Sequence, residues 1–250
     1  MAVLDVVRQL RARASARTST VVRSPDALAQ ILLPERNVCL LRRAFPYGIR
    51  GQVTTLAQLD SFERKRLVRS PADLAWLAEP LGPQRSAALL PDLCRWFAAF
   101  RALSGDAPVL GCVVVTRQDD CRKYHVDWVG LRLIITYAGP GTEWVPNEDV
   151  HRESLQLAWR RLAAINRRIV PDPRRVMAAA AGDVLLLKGE SYPGNAGRGA
   201  VHRSPAIAES GGVRLLFKLT SPSAACEDLE CTTDHAEASR PDSATPTIAE

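Results

Sequence analysis

CRKYHVDWVGLRLIITY, residues 121–137, sets a cysteine, a histidine and an aspartate beside a run of β-forming residues. A strand bound for an apolar core must find partners for His125 and Asp127, because an unpaired carboxylate in an apolar site is very costly. A salt bridge, a hydrogen-bond network or a metal would each serve. Residues two apart on a strand project to one face. His125 and Asp127 therefore point together, with Tyr124, Val126 and Trp128 on the opposite face. That is the geometry in which a His-x-Asp pair gives two ligands to one ion.

A third ligand has to come from far along the chain. His202, in GAVHRSPAI, is the other histidine in a β-rich context. Two imidazoles and one carboxylate on one face of an octahedron leave three positions open, the ligand set of non-haem Fe(II) oxygenases. Cys121 lies four residues before His125 and would share the ligand face on an uninterrupted strand. A thiolate there would favour zinc or another soft metal. The competing readings are a hydrogen-bonded core pair for His125 and Asp127, and a loop-capping role for His202.

Working outward, residues 107–117, 123–137, 183–188 and 213–220 are β-rich and punctuated by Gly and Pro. Helical patterning dominates from about 56 to 104, with Pro91 expected to start or kink its last helix. SPDALAQILLPE (24–35) reads as a short helix with Ser24 as N-cap and Pro25 at the first position, and NVCLLRRA (37–44) as a strand. Residues 150–168 read as an arginine-rich helical or irregular insertion. The expected fold class is α+β, a helical N-terminal part packed on an all-β C-terminal part. The expected division is a partly ordered basic segment 1–24, a globular domain 25–220 (helical 25–105, β core 106–220) and a polar, disordered tail 221–250.

The composition is that of an ordinary folded protein: 250 residues, 46% hydrophobic and 24% charged. The net charge of +6 is mostly arginine, since only Lys65, Lys123, Lys188 and Lys218 are lysines. Arginine suits planar recognition of carboxylate or phosphate. Without a basic stripe interleaved with aromatics, the pattern argues against a nucleic-acid partner. The six cysteines are scattered, several in apolar stretches, which suits buried thiols better than a disulfide framework. No stretch approaches the ~18 apolar residues of a membrane span, so the expectation is a cytoplasmic protein without a membrane partner.

The order of GD-strand-loop-His-Arg-x-Pro-strand-Arg in AAAGDVLLLKGESYPGNAGRGAVHRSPAIAESGGVRLLFKLT resembles the closing half of the double-stranded β-helix of 2-oxoglutarate/Fe(II) dioxygenases. The resemblance implies that the β part is a double-stranded β-helix (jelly roll). It implies His125, Asp127 and His202 as metal ligands, and Fe(II) and 2-oxoglutarate as cofactor and cosubstrate. It implies Arg214 as the clamp on the cosubstrate's distal carboxylate, with Arg203 or Arg132 as substitutes. Over roughly residues 30–220, HVDWVGLRLIITYAGPGTEWVP and GDVLLLKGESYPGNAGRGAVHRSP also resemble an uncharacterised bacterial family, domain of unknown function eighteen-twenty-six. That second resemblance implies a link to metallochaperones and zinc homeostasis.

Two functions follow as expectations. One is an oxygenase that hydroxylates a small-molecule or protein substrate. The other is a non-catalytic zinc-binding protein that closes its site with Cys121. In YAGPGTEWVP, the residues Thr142, Glu143 and Trp144 are expected at the pocket mouth. SYPGNAGRG (191–199) is long enough for a lid, His151 suits a helix start, and Cys226, Cys231 and His235 have loose metal-like spacing.

Overall fold

The computed structural model describes residues 17–45, 47–53, 59–105, 108–157 and 161–221. Its strands are β1 (Ser19–Val22), β2 (Val38–Leu41), β3 (Phe62–Leu67), β4 (Leu110–Thr116), β5 (Leu131–Ala138), β6 (Glu143–Val145), β7 (Met177–Ala178), β8 (Val184–Lys188), β9 (Val201–Arg203) and β10 (Arg214–Thr220). The α-helices are α1 (Tyr47–Val53), α2 (Pro71–Ala78), α3 (Pro83–Ser104) and α4 (Leu162–Ile169), joined by short 3-10 turns. Seven strands form one sheet in the order β1-β2-β8-β5-β10-β4-β3, and three form a second in the order β7-β6-β9. His125 extends the second sheet by a single antiparallel bridge to His202.

From β4 onward the chain crosses between sheets at nearly every connection. It runs β4 (large), His125 (small), β5 (large), β6 and β7 (small), β8 (large), β9 (small) and β10 (large). This winding is a double-stranded β-helix. Alternation along the strands builds its layers. Val114, Ile134, Leu185, Leu187 and Leu216 point between the sheets and meet Trp144. Their neighbours Val113, Leu133, Ile135, Leu186 and Phe217 point the other way, against Leu77 of α2 and Leu93, Trp96 and Phe100 of α3. The outer face of the small sheet, Tyr124, Val145 and Val201, is covered by Ile165 and Ile169 of α4.

The N-terminal part is less helical than its sequence suggests. It adds β1 and β2 to one edge of the large sheet and β3 to the other. β3, FERKRL, hides its strand pattern under charges, as edge strands do where open backbone must resist further pairing. The segment Pro25–Leu32 is a 3-10 helix, with Ser24 at its N-cap position. α3 begins at Pro83 and carries Pro91 in its interior, so Pro91 does not start it. Ser221 belongs to the described core: its hydroxyl accepts from Leu131 N at 2.7 Å. The remainder of the expected tail, with Cys226, Cys231 and His235, lies outside the described residues. No helix among the described residues is long and apolar enough to cross a membrane.

Candidate metal centre

Within CRKYHVDWVGLRLIITY, pairing before Leu131 is limited to the single isolated bridge of His125 to His202, and a regular strand begins only at Leu131. The expected alternation fails between them: Tyr124 is buried, whereas Trp128 is 66% exposed. Asp127 is aimed instead by a short loop laid on residues 189–191. Gly189 N donates to Gly130 O at 2.8 Å, Glu190 N to Asp127 O at 2.8 Å and Ser191 N to Val129 O at 3.2 Å. Across the sheet, His125 N and His202 N each donate to the other residue's carbonyl at 3.0 Å.

These supports bring His125, Asp127 and His202 together, each with one ligand atom within 4.8 Å of the other two. His202 Nε2 stands 3.2 Å from Asp127 Oδ2, and His125 Nε2 stands 3.7 Å from Asp127 Oδ1. Both rings are oriented alike. The Nδ1 of His125 lies 2.9 Å from Lys123 O, and that of His202 lies 3.0 Å from Ala200 O. A carbonyl only accepts, so in the neutral ring Nδ1 carries the proton and the Nε2 lone pair faces Asp127. Such outer hydrogen bonds fix the tautomer of metal-ligating histidines. The donor set therefore fits a divalent metal of the imidazole- and carboxylate-binding kind.

Burial opposes ionisation of Asp127, but the adjacent Arg132 guanidinium helps to outweigh it and the carboxyl is held well below the usual range. Arg132 donates to Asp127 Oδ2 at 2.6 Å and to Thr220 Oγ1 at 3.2 Å. It is thus committed to a ligand. Arg203 is committed too: it donates to Glu143 at 2.6 Å and stacks over Tyr124 with its guanidinium carbon 4.3 Å from the ring centre. Arg214, at the start of β10, differs. It is buried, and donates to Pro140 O at 2.9 Å and Thr142 Oγ1 at 3.5 Å. No carboxylate lies within salt-bridge reach of it among the described residues. Burial pulls its pKa down to about 10, against the more distant Asp120 and Glu143, so it remains a cation at neutral pH.

A cavity of about 520 Å³ opens beside the three ligands. His125, His202, Arg214 and Thr142 line it together with Ile134 and Leu216 of the large sheet. Trp144 does not stand at its mouth, because the side chain is fully buried in the core between the sheets. Its register opposite His202 turns it inward, where a large indole packs best. Glu143 is occupied by Arg203. Cys121 lines the cavity but lies outside the three-ligand cluster. Its positive φ of 36° breaks the strand that would have aligned it with His125.

The Gly-rich loop 191–199 is pinned. The Glu190 carboxylate accepts from Gly197 N, from Gly199 N and from Arg152, and Asn195 donates to Gly189 O at 2.9 Å. Sequence reading passed over Asn166 of α4, whose side chain reaches the strand leading into His125. The signal was an amide on the apolar face of LAAINRRI, between Ile165 and Ile169.

No curated protein matches the chain. Among solved structures, a rice dioxygenase for auxin oxidation is similar with a TM-score of 0.48 and 11% identity, covering 82% of each chain. The Arabidopsis thaliana enzyme of the same kind, in its binary complex with 2-oxoglutarate, gives 0.45 and 10%, covering 82% of this chain and 92% of that one. A Pseudomonas putida prolyl-4-hydroxylase gives 0.43 and 8%, covering 80% and 98%. The fold assignment rests on the strand order itself. A family model described as a protein of unknown function, DUF1826, matches residues 22–220, and the chain belongs to that family.

Proposed function

We propose that the protein is an Fe(II)- and 2-oxoglutarate-dependent dioxygenase. One observation carries the reading: two imidazole nitrogens and one carboxylate come together beside a cavity that is also lined by a buried arginine. Iron bound there would supply the oxygen activation that hydroxylates a substrate C–H bond.

The chain's own part is binding and orientation. His125, Asp127 and His202 hold the metal from one side. Arg132 fixes the Asp127 carboxylate and keeps it ionised. Arg214, a buried cation without a directly bound carboxylate, takes the distal carboxylate of the dicarboxylic acid through the guanidinium fork. Ile134 and Leu216 add apolar surface to the cavity lining beside Arg214.

Calorimetric titration of 2-oxoglutarate into anaerobic, Fe(II)-loaded protein tests the reading. Binding is expected with Fe(II) present and not without it. Arg214→Lys keeps the charge but loses the fork, and is expected to weaken binding by about ten- to a hundredfold, equivalent to roughly 1.5–3 kcal/mol. Cys121→Ser is expected to change neither metal nor 2-oxoglutarate affinity. Absence of 2-oxoglutarate binding to the iron-loaded protein would end the proposal.

A further inference from the structure

The strand that delivers His125 is supported on two sides. On one side the backbone of His202 pairs with it. On the other, where a sheet would place another strand, stands the side chain of Asn166. Its carbonyl oxygen accepts from Tyr124 N at 3.0 Å, and its amide nitrogen donates to Arg122 O at 2.9 Å. A primary amide offers a donor and an acceptor side by side, so Asn166 pairs with residues 122–124 much as a neighbouring peptide unit would. The residue between those two anchors is Lys123, whose carbonyl fixes the His125 ring. Lys123 Nζ is itself tied to Leu155 O at 2.8 Å and Leu157 O at 3.0 Å.

Asn166 is buried, and asparagine is a poor choice for the interior of a helix on packing grounds alone. Leucine there would extend the apolar cluster of Ile165, Ile169 and Tyr124. The amide does what leucine cannot, which is to satisfy two backbone groups of the ligand strand. We infer that Asn166 is a positioning residue for the metal centre: α4, inserted between β6 and β7, sets the orientation of His125 through this one amide. The inference rests on the reading of His125, Asp127 and His202 as metal ligands.

The test compares Asn166→Leu, Asn166→Asp and Ile165→Ala with the unaltered chain. Three quantities are read: melting temperature, Co(II) affinity by calorimetry well below the melting range, and amide hydrogen exchange at Tyr124 and His125. Ile165→Ala opens a cavity in the same cluster without touching the strand. It is expected to lower the melting temperature while leaving Co(II) affinity within about threefold. Asn166→Leu is expected to lower Co(II) affinity by about ten- to a hundredfold, in line with other outer partners of metal ligands, and to abolish slow exchange at both amides. Asn166→Asp keeps the acceptor for Tyr124 N and loses the donor to Arg122 O. It is expected to fall between, and it carries the test if the leucine variant does not fold.

Unchanged Co(II) affinity in both Asn166 variants would overturn the inference, as would losses no greater than in Ile165→Ala. If the unaltered chain bound no Co(II), the metal reading alone would fail and the exchange data would decide. Retained protection of His125 in Asn166→Leu would then refute positioning, and lost protection would uphold it.

Discussion

Arg132 Nη1 lies 2.6 Å from Asp127 Oδ2, the oxygen that also stands 3.2 Å from His202 Nε2. The guanidinium thus orients the carboxylate and supplies the charge that keeps it ionised against burial. Replacing Arg132 by methionine retains much of the apolar stem and removes both effects. Metal affinity is expected to fall by about ten- to a hundredfold. Calorimetry with Co(II) measures it, and an affinity equal to that of the unaltered chain would show that Arg132 is dispensable to the ligand.

A second buried carboxylate holds the helical layer to the large sheet. Asp92 of α3 accepts two bonds from Arg43, both 2.7 Å, one from Trp96 Nε1 at 3.1 Å and one from the Tyr137 hydroxyl of β5 at 2.7 Å. Burial, followed by the Asp92 charge, pushes the Tyr137 phenol well above its usual range. Asp92→Ala leaves the largely covered Arg43 without its carboxylate and the Tyr137 hydroxyl and Trp96 Nε1 without their acceptor, and is expected to cost about 3–5 kcal/mol. The melting temperature should drop on the order of 10 °C. A drop under about 2 °C would mean that water replaces the carboxylate at little cost.

Lys188 predicts an unusual pH response. Its ammonium is buried, donates to Leu33 O at 2.8 Å and sits 4.5 Å from the Tyr192 ring centre. Burial, aided by the nearby Arg198 charge and opposed by Glu35, lowers its pKa from 10.5 to about 8. Between these values the unfolded chain binds more protons than the folded one, so this group adds stability as pH rises from about 8 to 10.5. Cys39 and Cys112, pushed up to about 12 by burial, act oppositely, because the unfolded thiols ionise first. The difference between the unaltered chain and Lys188→Met isolates the lysine. In urea melts, the unaltered chain should gain roughly 1–3 kcal/mol on the variant between pH 8 and 10.5. Parallel pH curves for the two would refute the depressed pKa.

Gly189 allows the Asp127 loop to approach β8. A Cβ there would collide with Val129 O and reach Asp127 O at 2.8 Å. Gly189→Ala is expected to displace the loop, lowering both melting temperature and metal occupancy. Gly194→Ala tests a different effect: it meets nothing within 4 Å, and its φ of 75° strains only its own turn. It should leave metal occupancy unchanged. Equal metal loss in both variants would place the cause outside the Asp127 loop.

The cluster of His125, Asp127 and His202 could be read from the chain because these residues stand beside apolar runs, where polar groups require a reason. The β-rich half followed from short β-forming segments separated by Gly and Pro, whereas its winding between two sheets was implied by the dioxygenase resemblance alone. β3 escaped notice because its exposed residues are Glu63, Lys65 and Arg66, which suit a helix surface as well as a sheet edge. Trp144 was misplaced because its neighbours Gly139, Pro140 and Gly141 suggest a turn at the surface, whereas its pairing with His202 turns it inward. Asn166 was illegible for another reason: an amide reports its partners only after the fold has brought them within reach.

The large sheet places β10 between β4 and β5, and β10 is the last described strand to leave a ribosome. Until it emerges, β4 and β5 flank a gap one strand wide, and His202 has only just been translated. A nascent chain therefore displays His125 and Asp127 while the third ligand is still missing and the central seam is open. An ion offered at that stage meets two ligands instead of three. On the proposed metal reading, loading would wait until His202 and β10 have joined the sheets, so the three-residue site is completed late in folding.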